Sequence, residues 1–91
     1  MAMREIILDA DRLLNKGDMG EYMSEVFPFP EYFGKNLSAL RDLLSEVNED
    51  TDIILTRDNV RQICASRYAY KVMLVLSDAA EENPHLRILF R

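Results

Sequence analysis

The chain has 91 residues, 48% of them hydrophobic and 30% charged, with a formal net charge of −5. That length implies one domain over residues 1–91, with a real but small core that buries about 60–65% of the unfolded surface, and the hydrophobic fraction argues against disorder. The acidic balance argues against a nucleic-acid partner, which needs clustered Lys and Arg, and is compatible with a basic protein partner steered in by an acidic face.

Arg4-Glu5-Ile6-Ile7-Leu8-Asp9 reads as a short strand. Its apolar triplet is continuous rather than alternating, as in a strand covered on both faces or lying in a parallel sheet. Residues 9–17 are polar and broken, with Leu13 and Leu14 as anchors. Asp18 followed by Glu21 resembles a capping box with Asp in place of Ser or Thr. Met19, Tyr22, Met23 and Val26 recur at helical spacing, which predicts a first helix over 18–26, weakened somewhat by Gly20.

Residues 27–36 hold two prolines, four aromatics and a glycine. Proline restricts the residue before it, so Phe27 and Phe29 are pushed towards extended geometry. Gly34 can take the positive φ of a tight turn. Asn36 can cap a helix by accepting from a backbone N–H two or three residues on. A rigid turn would thus deliver the chain into a second helix reaching about residue 47. Leu37, Leu40, Leu44 and Val47, widened by Leu43, form its apolar stripe; Ser38, Arg41, Asp42, Ser45 and Glu46 take the other side. The turn has two readings, a well-made loop or a preorganised binding surface.

Asn48-Glu49-Asp50 is a polar stop, and Asp52-Ile53-Ile54-Leu55-Thr56 reads as the second strand. Arg57-Asp58-Asn59 is expected to turn the chain into a short helix over 60–65. A longer helix follows over 67–82, with Ala69, Val72, Met73, Leu76, Ala79 and Ala80 as its buried stripe. Residues 72–76 are apolar throughout and could pass for a strand, but the longer pattern around them favours a helix. Asn83-Pro84 ends it, and Leu86-Arg87-Ile88-Leu89-Phe90 closes the chain as a third strand. Each crossover is long enough to keep the strands parallel. The expected class is α/β, a three-stranded parallel sheet packed against about four helices.

Residues that could carry chemistry are sparse. His85 is the one histidine and reads as a solvated loop residue. Cys64 is the one cysteine, so no internal disulfide can form, and without a CxxC partner it reads as a small buried hydrophobe rather than a nucleophile. A reducing, cytoplasmic location fits. No phosphate-cradling glycine loop and no Cys/His metal spacing occurs, so no cofactor or metal is expected. No apolar run approaches the roughly 20 residues of a membrane span, and the first residues do not read as a signal peptide. Charge is placed unevenly, however. Residues 36–52 hold Asp42, Glu46, Glu49, Asp50 and Asp52 against the single base Arg41, which accounts for most of the net charge. A charge run is usually a solvated face; here it follows a rigid aromatic turn, and the two together suit protein binding.

Pro30-Glu31-Tyr32-Phe33-Gly34-Lys35-Asn36-Leu37-Ser38-Ala39-Leu40-Arg41-Asp42 resembles, without a gap, the barstar-family signature Pro-Glu-Tyr-Tyr-Gly-x-Asn-Leu-Asp-Ala-Leu-x-Asp. Outside residues 30–44 the resemblance is looser but spans nearly the whole chain. It implies a single barstar-like domain that inhibits a basic microbial ribonuclease of the barnase type in a one-to-one complex. The second helix and its preceding loop would enter the nuclease active site. It places Tyr32, Gly34, Asn36, Leu37, Ser38 and Asp42 on the binding surface, with Asp42 as the central acid and Asp78 as a further acidic contact. Arg41 and Glu46 share that helix face. The chain departs from the family at Ser38, where barstar has a second acid, and at Arg41 and Val47, where barstar has aromatics. Arg41 could pair with Asp42 or Glu46.

Three readings follow. The first is a non-enzymatic inhibitor of a ribonuclease, with no direct nucleic-acid or membrane partner and a monomer when free. The second is a barstar-fold interaction module with another target, which Ser38, Arg41 and Val47 favour. The third is an enzyme, which would need His85 or Cys64 beside an acid in a pocket.

Overall fold

The computed structural model describes residues 4–27, 29 and 36–91. Along them run β1 (Arg4–Ile7), a 3-10 turn (Ala10–Leu13), α1 (Lys16–Val26), α2 (Leu37–Ser45), β2 (Thr51–Leu55), α3 (Arg57–Ala65), α4 (Arg67–Glu82) and β3 (Leu86–Phe90). The strands are parallel in the order β1-β2-β3, with Ile6, Ile53 and Ile88 in register. The expected α/β class is the observed one.

Side-chain caps decide where the helices begin. Asn15, Asn36, Thr56 and Ser66 each accept from the N–H three residues on, at 2.9, 2.8, 3.3 and 3.2 Å. Two expected boundaries shift as a result. Asn15, not Asp18, caps α1, and Asp18 instead accepts from the Asn15 amide at 3.0 Å. Thr56 leaves the strand to cap α3, so residues 57–59 are its first turn rather than a loop. At Ser66 α3 ends and α4 starts, with extended φ −120° and ψ 124°, a corner of one residue. α2 stops at Ser45, two residues before the expected end.

The helices bury the stripes that periodicity predicts. Leu40 and Leu44 of α2, and Val72 and Leu76 of α4, are fully buried beside Ile53. Within residues 72–76, Leu74 is exposed, as helical geometry requires. β2 is buried at all five positions, but β1 is an edge strand and Ile7 remains 60% exposed, so cover on both faces holds for the central strand alone. Leu13 anchors the 3-10 turn; Leu14, expected as a second anchor, is exposed. No described helix is long and apolar enough to cross a membrane.

Two side chains fix the segment that leaves β1. The Tyr22 hydroxyl donates to the Ile7 carbonyl at 3.2 Å and accepts from the Asp9 N–H at 3.0 Å. The Asn59 amide donates to the Leu8 carbonyl and accepts from the Ala10 N–H. Burial pushes the Tyr22 phenol above its ordinary value, and Tyr68 is pushed the same way by the same cause. The fold therefore favours the neutral phenol. That stabilisation is complete below the unfolded value near 10 and is lost as pH rises through the folded one. Urea midpoints are expected to fall above about pH 10, and Tyr22→Phe to flatten part of that fall. An alkaline limb unchanged in Tyr22→Phe would refute the assignment.

Candidate functional site

α2 is held at both ends and exposes one face between them. Its N-terminus is fixed by the Asn36 cap. Its C-terminus is held by Asn83, which is 6% exposed and lies just past α4. The Asn83 amide donates to the Leu44 and Val47 carbonyls at 2.9 Å each, and its oxygen accepts from the His85 N–H at 2.9 Å. Carbonyls at the end of a helix lack intrahelical partners, so this one side chain ties α2 to the start of β3. From sequence Asn83 reads only as a helix stop. The signal was present, since a buried amide must find partners, but burial there is set by the packing of α2 on α4.

Ser38, Arg41, Asp42, Ser45 and Glu46 are all exposed, as expected, while Leu37 is half-buried against the core. The Asp42 carboxylate takes part in no ion pair with a described residue; its backbone carbonyl accepts from the Ser45 hydroxyl at 2.6 Å. Tyr32 and Gly34 lie outside the described residues. The approach to them is anchored. Phe27 is buried with φ −116° and ψ 148°, the extended geometry expected before proline, and its ring stacks on Phe29 at 5.1 Å.

Arg41 does not pair with Asp42 or Glu46. It reaches across to α4, with Nη1 4.0 Å from Asp78 and Nη2 3.4 Å from Glu82. Asp78 is thus brought to the edge of the α2 face, and Glu82, one turn further on, joins it. Glu82 was not singled out from sequence, because nothing local says which face of α4 meets α2.

The expected acidic run divides into unrelated parts. Glu49 lies 3.9 Å from Arg4, and Asp50 meets His85 Nδ1 at 3.0 Å. Asp52 is buried on β2, where Arg87 grips it through Nε at 2.8 Å and Nη2 at 3.0 Å. That hydrogen-bonded pairing raises the Arg87 guanidinium above its ordinary value. Asp42 and Glu46 alone of the five acids stand on α2 or its cap.

His85 and Cys64 do not come together: they lie towards opposite ends of the sheet, and the acid beside His85 is Asp50. His85 enters β3, its carbonyl accepting from Thr51 at the start of β2. Cys64 lines an apolar cavity with Leu55 and Phe90, at the strands' other end. Four residues of strand, about 13 Å, separate those ends. Cys64 is exposed rather than buried, because α3 turns Ile63 into the core and Cys64 lies one residue round the helix. His85 is only half-exposed and bonded at both backbone and ring.

Residues 3–91 match the model of a family described as Barstar (barnase inhibitor). The chain belongs to the barstar family. A relative from Bacillus subtilis (strain 168), named "Putative ribonuclease inhibitor YrdF", is 31% identical over 81 residues, covering 88% of this chain and 89% of that protein. In this barstar-family chain two of the residues that differ from barstar acquire a physical setting. Val47 is half-buried against the core with its carbonyl held by Asn83, and Arg41 is engaged by α4.

Proposed function

We propose that this chain is a non-enzymatic inhibitor that binds a basic ribonuclease and covers its active site with residues 30–47. The observation that carries the reading is the exposed Asp42 carboxylate, paired with no described residue, on a helix fixed at both ends. On this reading Asp42 takes the place of a substrate phosphate and accepts charge-assisted hydrogen bonds from the nuclease's Arg and His groups. On the same reading Asn36, Leu37, Ser38 and Glu46 share the binding surface with it, Asp78 extends the contact onto α4, and the family resemblance adds Tyr32 and Gly34. The chain would act as one domain and as a monomer in the cytoplasm, one inhibitor to one nuclease. Membership of the barstar family and the likeness to a protein named as a ribonuclease inhibitor support this.

Titration of barnase or another basic microbial ribonuclease is expected to abolish its activity at equimolar inhibitor. Association is expected to slow about tenfold or more as salt rises from about 0.02 to about 0.5 M, because screening shortens the range of steering. Full nuclease activity at excess inhibitor across such enzymes would refute the reading. Arg41, a positive charge on the proposed surface, favours a second one: an interaction module whose target is not a barnase-type nuclease. A salt-insensitive complex with a non-nuclease partner would be its mark.

A further inference from the structure

We propose that Arg41 is an internal counter-ion, and that a cationic side chain of the ribonuclease displaces it from Asp78 and Glu82 on binding. Arg41 thereby sets which nucleases the chain accepts. The inference rests on the inhibitor reading above and deepens it.

The geometry has three parts. First, Arg41 bridges helices rather than bonding along its own. It touches Glu82 at 3.4 Å through one nitrogen and approaches Asp78 only to 4.0 Å through another. This is one long hydrogen bond and one plain ion pair, not the bidentate fork that makes arginine–carboxylate pairs strong. All three side chains are at least half exposed, at 52, 52 and 65%. Exposed pairs of that kind are weak and readily exchanged.

Second, Arg41 forms one wall of a cavity of about 140 Å³, whose other walls are Ser45, Ala79, Glu82, Asn83 and Pro84. Water occupies about 30 Å³ per molecule in the liquid, so there is room for the end of a Lys or Arg side chain. The far wall is rigid, since Ala79 and Asn83 are buried and Asn83 is bonded at both ends of its amide. The near wall is a flexible arginine. An incoming cation therefore meets a preformed seat beside Glu82 that opens when Arg41 swings out.

Third, the charges make the exchange selective. With Arg41 seated, its group with Asp78 and Glu82 carries −1; with Arg41 turned away those two acids present −2 beside Asp42 and Glu46. A nuclease with a second cation at the right reach replaces Arg41 and gains both acids. A nuclease without one meets a positive charge instead, which discriminates against it.

The test uses the whole chain and barnase as the basic probe, with association and dissociation rates measured from low to high salt for the parent, Arg41→Ala, Asp42→Ala and Arg41→Ala/Glu82→Gln. Arg41→Ala is expected to tighten binding about three- to tenfold, with a steeper salt dependence, and the added Glu82→Gln change to cancel most of the gain. Unchanged urea midpoints establish that the variants fold alike. If Asp42→Ala weakens binding but Arg41→Ala weakens it too, or changes nothing, the displacement idea is overturned and the inhibitor reading stands. If neither parent nor Arg41→Ala binds barnase or any other basic microbial ribonuclease at low salt, the inhibitor reading fails and this inference with it.

Discussion

Asp42→Ala is expected to weaken the complex with a basic ribonuclease by about 2 kcal/mol or more, roughly 30-fold in Kd, while moving the fold's own stability by less than about 0.5 kcal/mol. The two halves of that expectation have different causes. In the free chain the carboxylate is exposed and joined to no described partner, so its loss removes little. In the complex it would be desolvated against cations that evolved to hold a phosphate, and its truncation would leave those cations buried without a counter-charge. The range is that of interface hot spots in general, a set that includes the barnase–barstar pair itself. Asp42→Asn keeps the shape and loses the charge, so it should fall between alanine and parent. Glu46→Ala, at the end of the helix, should cost less, since rim charges act more on association rate than on affinity. Isothermal titration or stopped-flow competition with the nuclease measures each. An Asp42→Ala protein that binds as tightly as the parent would remove Asp42 from the site.

Asn83→Ala is expected to cost about 2–3 kcal/mol of folding stability, close to 10–20 °C in Tm for a chain of this size. The substitution deletes three hydrogen bonds at once. They are not equal. The Leu44 carbonyl keeps the Val47 N–H at 3.3 Å as a second partner, whereas no other described hydrogen bond reaches the Val47 carbonyl. An orphaned carbonyl near the core costs more than the bond was worth when made. Asn83→Asp separates this account from simple loss of volume. It keeps an acceptor for the His85 N–H but points a carboxylate at two carbonyl oxygens, so it should be at least as damaging as alanine. Because the same side chain holds the end of α2, Asn83→Ala should also weaken nuclease binding without touching the nuclease. A urea midpoint within error of the parent's would sink the proposed role.

Much of the fold was legible from periodicity. The stripe on α4, the span Arg67–Glu82 and the Asn36 cap all follow from residue type and spacing. The helix starts that shifted did so for one reason, that more than one nearby polar residue can cap a helix. Asn15 and Thr56 won over Asp18 and the 57–59 turn because each side chain accepts from the N–H three residues on. The site was legible only in part. Asp42, Ser38 and Glu46 lie where the α2 stripe leaves them, on the exposed side, and the resemblance in residues 30–44 anticipated the family. The acidic run was misleading because sequence adjacency is not spatial adjacency. Asp52 alternates onto a sheet face and meets Arg87 through strand register, which no local pattern reveals.

What the sequence determined by itself is the start of α2 at its Asn36 cap and the apolar stripe that leaves Asp42 exposed, because these depend on backbone preference and a 3.6-residue period. Which acids reach that helix was decided only by the tertiary structure. The packing of α2 against α4 set Arg41 between Asp78 and Glu82 and gave the α2 carbonyls to Asn83. Those contacts join residues 36 to 41 positions apart, at distances fixed by how two helices sit on one sheet.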